Sequence, residues 1–109
     1  MLNEIVPQMI YSKGIDLHDS VGVNEIAWYF SDALEVIQFL RLNNFVILGG
    51  DVYKMGKEGI EVTFDNWYFD KSCGENQLNE SAEKAKSYIS NYHARNGDGF
   101  AYTFVFKSI

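Results

Sequence analysis

Hydrophobic positions along the chain follow two periods, and the switch between them is clearest in the last third. Leu78, Ala82, Ala85, Ile89 and Tyr92 recur at spacings of four and three, the narrow stripe of an amphipathic helix. Asn79 is its expected N-cap, Glu80 and Glu83 sit in the first turns, and Arg95 and Gly97 close the end. Beyond residue 99 the period falls to two. Phe100, Tyr102, Phe104 and Phe106 share one face of a strand predicted over 100–107, and Ala101, Thr103, Val105 and Lys107 share the other. The phenylalanine-bearing face is assigned to the core.

A second helix is predicted from Ser31 or Asp32 to about residue 43, where Ala33, Val36, Ile37 and Leu40 form a stripe widened by Leu34 and Phe39. Asp32 and Glu35 have the spacing of a capping box, and Asn43-Asn44 suits a left-handed exit. Residues 24–30 alternate loosely and read as a strand, with Ile26, Trp28 and Phe30 on one side. Residues 3–13 place Ile5, Met9 and Ile10 at helical spacing and stop at Gly14, while Pro7, the only proline, fits only the first turn. A short helix is expected there.

The middle of the chain reads as a hairpin. FVILGGDVYKM, residues 45–55, precedes the loop Gly56-Lys57-Glu58-Gly59, after which Ile60, Val62 and Phe64 alternate with Glu61, Thr63 and Asp65. Counting outward from the loop pairs Lys54 with Glu61, a favourable cross-strand match, but puts Asp51 opposite Phe64 on the apolar face. One extra residue at Gly49-Gly50 would resolve the conflict, because a bulge flips side-chain parity and bends the strand.

The order α, β, α, β, β, α, β predicts an α+β fold: a single two-layer domain over 1–109, with about three helices on one face of a mainly antiparallel sheet of about four strands. The other face is expected to be partly open, carrying Glu61, Thr63, Asp65 and Trp67.

Composition narrows the partners. Eight Phe, seven Tyr and two Trp among 109 residues are many for one small core, so some rings are expected at the surface. The net charge of -6 argues against nucleic acid or an anionic membrane and favours a basic partner. Cys73 is the only cysteine, which rules out an intrachain disulfide and points to a reducing cytoplasm. The N-terminal run has no basic segment followed by an apolar one, as a signal peptide would, and no stretch approaches the roughly 20 apolar residues of a membrane span.

Catalytic chemistry finds little to stand on. Gly49-Gly50-Asp51 is the opening of the GGDEF motif of nucleotide cyclases, but here the predicted hairpin tip is elsewhere, at 56–59. Asp51, Glu61, Asp65 and Asp70 could offer oxygens to a hard cation, yet their spacing makes no calcium loop, and no metal or cofactor is expected. His18 and His93 read as solvated side chains, Ser31 and Ser81 as helix caps, and no nucleophile elbow is present. The segment FDNWYFD, residues 64–70, is more informative, and two readings of it stay open. Either Trp67 and Phe69 fill the core while the aspartates solvate a turn, or rings and carboxylates together form a recognition surface.

The runs GVNEIAWYFSDALEVIQFL, ILGGDVYKM, FDNWYFD and SAEKAKSYISNY occur in this order between Val6 and Tyr92, and the chain resembles immunity protein 40, a family of bacterial polymorphic toxin systems. Gly49-Gly50-Asp51 with Val52-Tyr53, and Asp65-Asn66-Trp67-Tyr68, carry most of the likeness. It implies a small cytoplasmic antidote, not an enzyme, that binds and blocks a cognate toxin domain. Asp51, Glu58, Glu61, Asp65, Asn66, Trp67, Tyr68 and Asp70 are the candidate partner-binding residues, and Gly49 and Gly50 the structural ones. Residues 100–109 lie outside the likeness. A small-ligand binding module would instead need a pocket lined by aromatics, and a metal-dependent hydrolase a divalent ion on the carboxylates.

Overall fold

The computed structural model describes residues 12–18, 25–70 and 76–108. Most of the helix expected over 3–13, and Cys73, lie outside the described residues. Among the described residues six strands and two helices follow one another as β1 (Ile15–Asp16), β2 (Ile26–Tyr29), α1 (Phe30–Leu42), β3 (Phe45–Gly56), β4 (Gly59–Tyr68), α2 (Gln77–Asn96), β5 (Phe100–Tyr102) and β6 (Val105–Ser108). Every pairing is antiparallel, in the order β1-β2-β5-β3-β4, with β6 also paired to β3. The α+β class and the mainly antiparallel sheet are as expected; the strand count is not. The last strand breaks at Thr103-Phe104 into β5 and β6, both laid along the same edge of β3. The two-residue β1 is too short to carry a period that a sequence could reveal.

Both helices pack on one face of the sheet. Val36, Ile37 and Leu40 of α1 and Ala82, Ala85 and Ile89 of α2 meet Ile47 and Val52 of β3, Trp28 of β2 and the aromatic face Tyr102, Phe104 and Phe106. Removing each such large side chain from water stabilises the fold by about 1.5–3 kcal/mol, and this layer is the main core. Ser81 is buried in it and is not a cap. Its hydroxyl accepts from the Ile47 amide at 3.1 Å and donates to Leu78 O, so α2 is tied to the β3 backbone.

Helix ends depart from the predicted caps in detail. The N-cap of α1 is Tyr29, without a side-chain capping bond, and Asp32 and Glu35 instead flank Lys13 Nζ at 3.7 and 3.3 Å. α2 begins at Gln77, with Asn79 in its first turn bonded to the side chain of the N-cap residue Asn76. Asn44 takes the left-handed exit at φ 66°, and Gly97 closes α2 at φ 79° with its amide on His93 O.

The opposite face is not the acidic surface expected from the alternation. Leu17, Ala27, Tyr53 and Ala101 form a smaller apolar cluster there, joined by Ile15, Met55 and Ile60. Ile60 faces away from the helices because it pairs with Met55, which follows Tyr53 by two residues on the same side of β3.

β3 changes parity once. Ile47 and Val52 both reach the helix layer although they are five positions apart, an odd offset that would put them on opposite faces of a regular strand, because Leu48 is an extra residue between the pairs Ile47↔Phe106 and Gly49↔Val105. The parity flip predicted at Gly49-Gly50 thus falls one residue earlier, against β6. Across the hairpin, Lys54 pairs with Glu61 as expected, but Asp51 pairs with Asn66 rather than Phe64. Between Tyr53↔Val62 and Asp51↔Asn66 only Val52 lies on β3, while Thr63, Phe64 and Asp65 lie on β4. In this pair of strands it is β4 that bulges.

Candidate partner-binding site

The outer half of the hairpin and the end of β4 hold most of the candidate residues, and the β4 bulge sorts them. Beyond it, Trp67 turns inward opposite Gly50. The indole is only 6% exposed, lying 5.0 Å from the Tyr88 ring in a stacked arrangement and edge-on to Phe104 at 5.9 Å. The place of Trp67 on the open face is therefore corrected: it is a core residue. Gly50 makes room for it. A Cβ at 50 would run into Thr103 O and the tip of the indole, so this glycine is required by close approach, whereas Gly49, at φ 153°, also sits against the Trp67 carbonyl.

At the bulge the side chain that points outward is one the sequence assigned to the core. Phe64 is 86% exposed, with φ 67°. A bulky L-residue rarely adopts this left-handed region, and here the neighbours hold it. The Thr63 hydroxyl donates to Val52 O at 2.7 Å and accepts from the Asp65 amide at 3.0 Å, replacing the ladder contacts that the bulge interrupts. From the helix layer, the Tyr92 hydroxyl donates to Asp65 Oδ2 at 2.8 Å. Burial, reinforced by this bond to a carboxylate, pushes the Tyr92 hydroxyl up to about 12, against a smaller lowering effect of Thr63. Burial and the charge of Asp65 also raise Tyr88.

The two central carboxylates do not converge. Asp51 shares its side of β3 with Tyr53, and its charge, after burial, raises the Glu25 carboxyl and contributes to the rise at Tyr53. Asp65 instead acts on Tyr88 and Tyr92 of α2. Asp51 is next to the Asp65–Trp67 segment in backbone register, with its carboxylate on the other side of the sheet. The Asp51 amide donates to Thr103 Oγ1 at 3.0 Å and Asp51 O accepts from the Thr103 amide, fixing the β5–β6 break against β3.

The remaining candidates lie at the surface. Glu58 is exposed at the hairpin tip, Glu61 stands across from exposed Lys54, and Asn66 and Asp70 are exposed. Tyr68 is 72% exposed, with Lys84 Nζ 5.5 Å from its ring centre. Sequence reasoning missed Phe64. Thr63, Asp65 and Asn66 around it are residues whose side chains bond nearby backbone in place of a ladder, and that was the available signal.

Two hollows lie to the sides. One, of about 420 Å³, is lined by Asp65, Tyr88, Asn91, Tyr92, Arg95 and Asn96. The other, of about 350 Å³, lies where the Phe30 and His93 rings stack at 4.1 Å, with Asp98 3.7 Å from His93 Nε2. Among the described residues no group of three or more His, Cys, Asp or Glu is arranged to hold a metal ion, and no helix is long and apolar enough to cross a membrane.

The family model for immunity protein 40 matches residues 16–106, from β1 into β6, and the chain belongs to that family. The match extends past residue 92, where the likeness noted in the sequence stopped, and takes in β5 and the first half of β6. No curated protein and no solved structure matches the chain.

Proposed function

We propose that this protein is an antidote of a bacterial polymorphic toxin system: it binds a cognate toxin domain in the cytoplasm and blocks it, without catalysis or a cofactor of its own. Membership of the immunity protein 40 family over residues 16–106 carries the reading. The surface of the hairpin and the end of β4 supplies the contact, through Glu58, Glu61, Asp65, Asn66, Tyr68 and Asp70, with Asp51 at its margin. Trp67 supports this surface from beneath. The carboxylates favour a basic toxin surface, speeding encounter at low salt more than they add affinity. Nucleic acid and membranes are disfavoured by the same charge.

Growth of cells expressing the toxin domain encoded beside this gene, with and without this chain, tests the reading. Protection together with direct binding of the purified pair is the expected result. A parent chain that neither binds nor protects contradicts it.

A further inference from the structure

We propose that Phe64 is the aromatic anchor of the interface, held on the β4 bulge so that its ring enters an apolar pocket on a basic protein surface. This inference rests on the antidote reading and names the residue at its centre.

All eight phenylalanines are described, and Phe64 alone among them is exposed. Its backbone conformation makes that exposure harder to explain by folding. Only two described non-glycine residues have positive φ, Asn44 and Phe64. Asparagine tolerates that region; a phenylalanine gains nothing there from the fold, since its ring packs on so little. Glycine or asparagine would meet the demands of the bulge better. A ring kept at a position that folding disfavours is accounted for by contact with another molecule.

The surroundings suit an anchor. The bonds of Thr63 to Val52 O and the Asp65 amide, and of Tyr92 to Asp65, fix the backbone on both sides of Phe64, so less freedom is lost when the ring docks. From Lys57 to Asp70 there are four carboxylates, Glu58, Glu61, Asp65 and Asp70, against one lysine, which selects a cationic rim around the partner's pocket. Among the described residues β4 is a sheet edge, and its bulge interrupts the flat run of backbone groups that another strand would need. Docking by a side chain is thereby favoured over strand addition by a second copy.

The test measures binding of the catalytically inactivated neighbouring toxin domain to the parent and to Phe64→Gly, Phe64→Asn and Phe64→Tyr, with a melting temperature for each and sedimentation of the parent alone. Phe64→Gly and Phe64→Asn are expected to melt at or above the parent temperature while binding at least about 30-fold more weakly, the loss typical of a central anchor. Phe64→Tyr should keep most of the affinity. A parent that binds, with Phe64→Gly binding equally well, overturns the anchor and leaves the antidote reading standing. Melting of Phe64→Gly and Phe64→Asn well below the parent overturns the claim that folding disfavours the ring. A parent that does not bind overturns both readings, and a parent dimer dispersed by Phe64→Gly assigns the ring to self-association instead.

Discussion

Trp67 and Phe64 lie three residues apart on β4 and live in opposite surroundings. The indole fills a socket made by Gly50, Tyr88 and Phe104, whereas the phenyl ring stands in solvent on a left-handed bulge. Hydrophobicity does not distinguish them. What does is the backbone between: an extra pair of residues on β4 lets Trp67 meet Gly50, which has no side chain to block the indole, and leaves Phe64 86% exposed. A large ring needs a matching gap as much as it needs an apolar neighbourhood.

The largest expected effect comes from emptying the socket. Trp67→Ala should cost about 3–5 kcal/mol in urea unfolding, the range for deleting a buried large aromatic side chain. A loss near zero would move Trp67 out of the core and erase the contrast with Phe64. Filling the socket from the other strand should cost somewhat less. Gly50→Val drives a side chain into Thr103 O and the indole, and overpacking of this kind costs about 1–3 kcal/mol, more if the backbone cannot shift. A Gly50→Val protein as stable as the parent would contradict the close approach.

The pattern of residues made much of the fold legible and misassigned the part that carries the contrast. The α2 stripe, the 56–59 loop, the Lys54–Glu61 pairing and the inward face of Phe100, Tyr102, Phe104 and Phe106 all follow from local periodicity or turn chemistry. Ile60, Val62 and Phe64 also alternate, yet Ile60 joins the second cluster and Phe64 none, because periodicity describes a strand without bulges. The placement of a bulge on β4 depended on where Trp67 could fit, which is a long-range packing fact. Asp51 shows the same dependence on bulges: its register is beside Asn66, but its face is set by the extra residue Leu48 earlier in β3.

A smaller effect should come from the bond that braces the bulge. Tyr92→Phe removes the donor to Asp65 and should cost about 1 kcal/mol at neutral pH. The pH dependence has a definite sign. The hydroxyl of Tyr92 is raised to about 12 in the folded chain, from about 10 when unfolded, so its contribution is complete below pH 10 and is lost as pH climbs towards 12. Tyr102, also raised to about 12 by burial, adds a loss in the same window. Denaturation midpoints at pH 9 and pH 11.5 should therefore differ less in Tyr92→Phe than in the parent; an equal drop in both would remove Tyr92 from the balance.

The smallest expected effect concerns the carboxylates around Phe64. If they form a rim for a basic protein, millimolar Mg²⁺, Mn²⁺ or Ca²⁺ should leave the melting temperature nearly unchanged, because only binding to the native state raises it. A saturable rise of several degrees would favour a metal site over a protein-binding rim.

The most direct measurement is an amide chemical-shift map of the isotopically labelled chain on addition of the inactivated toxin domain. Antidote action through the hairpin and β4 predicts that the largest perturbations fall on residues 57–70, centred on Phe64 and Asp65, with the exposed Glu35 and Gln38 of α1 unaffected. Perturbations confined to α1, with 57–70 unchanged at saturation, would contradict it.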